Sequence, residues 1–254
     1  MLCGTNSRPE ELQAPVIVAF LVACVAAMLC GAFNGVLVSK FNIQPMIATL
    51  ILFTAGRSIA AWINNNELPV ISEESFGIYG GFIPGIPIPT PVFIMLVCVL
   101  LTALALKYTN LGLYTQAVGI NASSSRLNGL NPAFIKFISF VILGLCVAVV
   151  GLIKVSRLSS INYSVIAKDI EMDAILAVAL GGNSLSGGKF NMTASILGAY
   201  VIQFLTTTLY KFNVESAALS AYKAVVVIAL VVFSAPEVRK KLAGLTKKFK
   251  PQAK

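Results

Sequence analysis

Six apolar runs decide what this chain can fold into: 15–38, 43–63, 91–107, 132–153, 192–210 and 220–238. A bilayer core is about 30 Å thick and an α-helix rises about 1.5 Å per residue, so about 20 apolar residues cross it. Within lipid a segment must satisfy its own backbone hydrogen bonds, which for runs of this length means helix. A seventh run, "MDAILAVALGG" (172–182), is apolar but too short to cross alone as a regular helix. With the glycine-rich piece after it, it reads as a broken crossing. The expected fold is therefore all-α: a polytopic transmembrane helical bundle of about seven crossings, one of them a short broken helix. Composition agrees, with 11% charged residues and a mean hydropathy of +0.86, where a soluble domain carries about 25% charge.

Composition also removes whole classes of chemistry. With no histidine, the chain lacks the commonest metal ligand and general base. Cys24, Cys30, Cys98 and Cys146 lie in apolar runs, where cysteine behaves as a small hydrophobe. Cys3 stands apart, and no CxxC spacing occurs. No metal site and no catalytic residue are expected. The net charge of +9 does not point to nucleic acid, because seven of the nineteen basic residues crowd into the last sixteen positions. A basic tail beside a spanning helix is held by the anionic inner leaflet. The N-terminus has no basic region leading straight into an apolar core, so no signal peptide is expected.

With the tail inside, counting back through seven crossings puts the N-terminus outside. Lys40, Lys107, Arg126, Lys136, Lys189 and the tail then fall inside, twelve basic residues against six outside (Arg8, Lys154, Arg157, Lys168, Lys211 and Lys223). That bias follows the positive-inside rule. The domain reading is an external segment 1–14, a transmembrane domain 15–238 and a basic cytoplasmic tail 239–254. A proline- and glycine-rich outer loop spans 64–90. "GAFNG" (31–35) and "ASILG" (194–198) set small residues four apart, a pattern that lets neighbouring helices of a bundle approach closely.

"LGGNSLSGGKFN" (180–191) resembles two nucleotide motifs and satisfies neither. A phosphate loop needs glycine where Asn183 stands and Ser or Thr where Phe190 stands. "LSGG" (185–188) matches the start of an ATPase signature, but the chain carries no phosphate loop to accompany it. Two physical readings remain. Gly181, Gly182, Gly187 and Gly188 break a helix at membrane depth and expose backbone toward a polar pathway, or they form a plain turn between two crossings.

Arg57 lies inside 43–63, where an arginine is costly. Its place near the outer end allows it to snorkel, and a structural role is expected. Lys136 and Lys223 also read as snorkelling residues near helix ends. "KDIEMD" (168–173) gathers three carboxylates without a fourth convergent ligand, so it reads as a solvated loop. Asp173 is placed to cap the helix that follows.

"AVGINASSSRLNGLN" (117–131) is too polar to span and about as long as a four-turn helix. On this topology it lies in the cytoplasm, as an interfacial linker helix or as a surface on which another protein pushes.

"IQPMIATLILFTAGRSIAAWI", "AVGINASSSRLNGLN" and "DAILAVALGGNSLSGGKFN", in this order, resemble the permease subunits of bacterial ABC importers for monosaccharides. These are the ribose, xylose and galactose group, and the likeness leans most to galactofuranose permeases. The resemblance covers most of the chain from Pro15 onward. It implies an inner-membrane subunit that imports a monosaccharide. It also implies as partners an ABC ATPase subunit, a second permease subunit, identical or not, and a periplasmic sugar-binding protein. Residues 116–130 then match the coupling helix that seats in the ATPase, with Gln116, Gly119, Asn121, Arg126, Leu127 and Gly129 as its residues. ATP belongs to the partner, so this chain needs no cofactor. Amide and hydroxyl groups suit sugar hydroxyls, which makes Asn34, Asn183 and Ser184 the candidate pathway residues. Family members begin with further helices and a "GGIDLSVG"-like segment. This chain is expected to start just before the helix carrying "NGVLV" (34–38), lacking that first part. A truncated, non-transporting permease and a secondary transporter are the alternatives. The latter needs carboxylates at mid-membrane, and none of the ten acids lies at the centre of an apolar run.

Overall fold

The computed structural model describes residues 16–67, 77–82, 87–158, 161–162, 166–167, 170–184, 187–188, 190–212, 221–222 and 224–225. The expected external segment 1–14, nearly all of the run 220–238 and the tail 239–254 lie outside these residues. Eight helices are present among them: α1 Val16–Ser39, α2 Pro45–Ile63, α3 Thr90–Tyr108, α4 Leu111–Ile120, α5 Ala122–Leu127, α6 Pro132–Leu158, α7 Ile170–Leu180 and α8 Met192–Lys211. Five of them, α1, α2, α3, α6 and α8, are long and apolar enough to cross a membrane. The chain is a polytopic helical membrane protein. The short α7 has eleven residues, a rise of about 16 Å and so roughly half a crossing.

Helix starts follow local chemistry. Proline opens α2 and lies in the first turn of α3, where its missing N–H costs nothing. Pro132 opens α6, and Asn131 just before it accepts the Phe134 N–H on Oδ1 at 3.2 Å. Glu171 and Asp173 sit in the first turn of α7, where the helix dipole favours negative charge. Asp173 is thus inside the helix and not its cap, because α7 begins at Ile170, four residues before the start that a cap at Asp173 implies.

The chain forms two compact units. In the first, α1 packs against α6. Gly31 and Gly35 of "GAFNG" lie against Phe140 and Phe137, and Gly144 lies against Ala27, so the two helices run antiparallel. A Cβ on Gly144 would stand 2.5 Å from the Ala27 carbonyl oxygen. Small residues here let backbone meet backbone, which is how helices associate where lipid removes the hydrophobic incentive. Arg57 stays within this unit: Nη2 donates to the Ile166 carbonyl at 3.3 Å, and the guanidinium lies 4.4 Å from the Phe53 ring centroid. Also in this unit, Gly80 lies against the backbone of Ser156 and Arg157 near the end of α6.

In the second unit α7 packs antiparallel on α8, with Ala177 against Gly198 and Gly181 against Ala194. "ASILG" is thus one half of a pair of small-residue ridges. Large apolar side chains face outward in both units, among them Leu29, Trp62 and Phe204 at 65%, 78% and 75% exposure. An apolar surface of that extent is solvated by lipid.

Enlarging a seam glycine tests this packing. Gly144→Leu is expected to cost about 1–3 kcal/mol through overpacking, read as a lower thermal midpoint in detergent. Gly151→Leu, where a Cβ meets nothing within 4 Å, is expected to leave the midpoint unchanged.

Candidate functional site

The segment singled out from its sequence is not one helix. The continuous helix expected over 116–130 is divided at Asn121 into α4 and α5. Asn121 has extended backbone (φ −156°, ψ 102°) and its Oδ1 accepts the Ser124 N–H at 3.0 Å. This is an N-cap, and it restarts the helix at a new angle. Asn128 ends α5, its Nδ2 donating to the Ser124 carbonyl at 2.9 Å, and Gly129 follows at φ +80°. The asparagines that made the stretch look polar therefore occupy helix ends. Ser125 is buried, with its hydroxyl donating to the Asn121 carbonyl at 2.9 Å. Arg126 faces outward, and Ile120 and Leu127 are exposed at 65% and 89%. An apolar anchor beside a cation, on a capped turn, is presented to whatever lies beyond. Gln116 and Gly119 are half-buried.

The glycine-rich stretch closes α7 and reverses the chain. The Gly182 N–H donates to the Ala179 carbonyl at 2.9 Å and the Asn183 N–H to the Val178 carbonyl at 3.3 Å. With Gly182 at φ +77°, this is the Schellman arrangement that stops a helix. α7 ends at this turn, and α8 runs back antiparallel to it.

Asn183 holds the turn shut. Its Nδ2 donates to Ser195 Oγ at 2.7 Å and to the Asn191 carbonyl at 3.3 Å, and its Oδ1 accepts the Asn191 N–H at 2.6 Å. Asn191 in turn caps α8, its Oδ1 accepting the N–H groups of Thr193 at 3.1 Å and Ala194 at 3.3 Å. Sequence reasoning missed Asn191 and Ser195. An asparagine directly before an apolar run is the signal that would have found the first.

The two motifs meet in the second unit. A Cβ on Gly119, in the last turn of α4, would stand 2.8 Å from the Gly188 nitrogen. One on Gly187 would stand 2.7 Å from the Gly119 carbonyl oxygen. Gly187 and Gly188 have φ of +97° and +112°, so only glycine fits both the space and the backbone.

The candidate pathway residues divide between the units. Ser184 is exposed on the turn beside Asn183. Asn34 belongs to the first unit, in the seam of α1, 7% exposed, and its Oδ1 has no hydrogen-bond partner among the described residues.

Residues 3–235 match the family described as branched-chain amino acid transport system / permease component. The chain is similar to the fructose import permease protein FruF of Bifidobacterium longum, 36% identical over 94% of this chain and 68% of that protein. It is similar to the ribose import permease protein RbsC of Escherichia coli, 37% identical over 87% of this chain and 69% of that protein. It is also similar to the galactofuranose transporter permease protein YtfT of Escherichia coli, 34% identical over 85% and 63%. The chain thus spans about two thirds of the length of each relative. No solved structure matches.

Replacing the cap tests the turn. Asn191→Ala removes the acceptor and is expected to cost about 1 kcal/mol, while Asn191→Asp keeps it and retains most of the stability. Thermal unfolding in detergent compares the two.

Proposed function

We propose, from the premise that this chain belongs to the branched-chain amino acid transport system / permease component family, that it is the membrane-spanning subunit of an ABC importer for a monosaccharide. It sits in the bacterial inner membrane and pairs with a second permease subunit. A periplasmic binding protein delivers the sugar, and a separate ATPase subunit supplies the energy. The relatives' names support a sugar as substrate: each is a permease for a hexose or a pentose.

The observation that carries this reading is the α4–α5 surface. A transport subunit without an energy source of its own needs a place where another protein can push. Leu127 and Arg126 stand outward on a six-residue helix that is capped at both ends. Such a turn is stiff enough to transmit a displacement, and an exposed leucine beside an arginine is chemistry suited to an interface. The positive-inside count supports a cytoplasmic position for this surface, where ATP is available. Gln116, Gly119, Asn121 and Gly129 set its geometry.

On the substrate side, Asn34 is the strongest of the three pathway candidates. A buried amide oxygen without a donor is costly at membrane depth, and a sugar hydroxyl is such a donor. Asn183 is committed to the turn, so its part in the pathway is to hold Ser184 and the neighbouring backbone in place.

Two variants separate these roles. Arg126→Glu is expected to reduce co-purification of the cognate ATPase subunit, and with it uptake, by about tenfold, the scale of losing an interfacial charge contact. Asn34→Leu is expected to lower uptake and leave the ATPase bound. Unchanged co-purification in Arg126→Glu together with Leu127→Asp, or thiol labelling that places residue 126 outside, overturns the docking assignment. Full uptake in Asn34→Leu removes that residue from the pathway.

A further inference from the structure

We infer that the docking segment and the α7–α8 hairpin are one transmission body, joined where the backbone of Gly119 rests on Gly187 and Gly188. The inference rests on the importer reading for what drives the motion; the existence of the body rests on geometry alone.

Three links make the body. The first is the cap at Asn121, two residues beyond Gly119, which ties α5 to the end of α4 through the Ser124 and Ser125 N–H groups at 3.0 Å each. The second is the glycine contact itself. With Cβ positions 2.7–2.8 Å from backbone atoms of the other strand of chain, no side chain lies between the two backbones to absorb a displacement. Close-packed protein interiors have low compressibility and transmit strain. The third is Asn183, whose amide binds the end of α7 to Asn191 and Ser195 at the start of α8. A push on Arg126 and Leu127 therefore travels through Gly119 to the glycine turn, and from there into both helices of the hairpin. Gly112–Gly129 and Ala167–Lys254 form one compact unit although some forty residues separate them in the chain. Gly119, Gly187 and Gly188 are positioning residues: they contact no substrate and set what moves with what.

Coupling of this kind is reciprocal, and that gives the test. Hydrogen exchange is followed by mass spectrometry on the full chain in lipid nanodiscs. Alanine is a better helix former than glycine, so the local effect of Gly119→Ala is to firm α4. The expected result is the opposite at a distance: exchange of the Asn183 and Asn191 amides rises about tenfold, the scale of a modest coupling free energy. Asn183→Ala is expected to speed exchange at Ser124 and Ser125 in the same way. Gly56→Ala, where a Cβ meets nothing within 4 Å, is expected to change neither. Unchanged turn amides in Gly119→Ala, or unchanged α5 amides in Asn183→Ala, overturn the single body.

In the reconstituted importer, Gly187→Ala, whose Cβ would stand 2.7 Å from the Gly119 carbonyl oxygen, is expected to keep the ATPase bound and hydrolysing while sugar moved per ATP falls about tenfold. An undiminished ratio overturns the transmission role. If the unmodified chain binds no ATPase at all, the importer reading fails, and the exchange experiment still decides whether the body exists.

Discussion

In hydrocarbon no water replaces a missing hydrogen bond, so every backbone and hydroxyl group at depth has to be satisfied by the chain itself. Most of what is seen here follows from that one constraint. Thr49, Thr54, Ser58, Thr102, Ser139, Thr206, Thr207 and Thr208 donate their hydroxyls to carbonyls one turn back. Helix ends are closed by Asn121, Asn131 and Asn191, by prolines whose nitrogen has nothing to donate, and by the Gly182 stop. With polar groups settled inside single helices, helices are free to associate by shape. Glycine and alanine then do the work that large apolar side chains do in water-soluble cores.

Against this background two polar residues stand out. Asn34 is a buried amide in an otherwise apolar seam, with an oxygen that no group among the described residues serves. Arg57, the other costly residue, has the Phe53 ring 4.4 Å from its guanidinium and the Ile166 carbonyl 3.3 Å from Nη2. The same kind of signal, a polar side chain inside an apolar run, thus marks a brace in one place and an open valence in another. Only the contacts tell them apart.

Spanning helices were legible because their determinant, mean apolarity over about 20 residues, is local. Their ends were less so. Residue 153 is the expected end of α6, just before Lys154, yet the helix continues to Leu158, since long cationic side chains reach water from a helix end. The docking stretch was visible as an anomaly, but its division was not, because one asparagine can sit on a helix or start one. The small-residue ridges at 31–35 and 194–198 were readable as packing signals, though their partners were not. Least legible was the clamp on the glycine turn. Asn183 finds Asn191 and Ser195 eight and twelve residues away, and nothing in a linear reading joins them until the chain has reversed. Gly119 against Gly188 is harder still, a pairing across some seventy positions with no side chain on either partner.

The α1–α6 seam has a chronology as well as a shape. Its two halves, around Gly31 and Gly144, emerge from the ribosome more than a hundred residues apart, an interval of roughly 5–20 s at ordinary rates of synthesis. The α7–α8 seam closes as soon as its second helix is made. During that wait α1 is in the bilayer with its glycine face and Asn34 not yet covered by α6, and biogenesis has to shelter that face until α6 arrives.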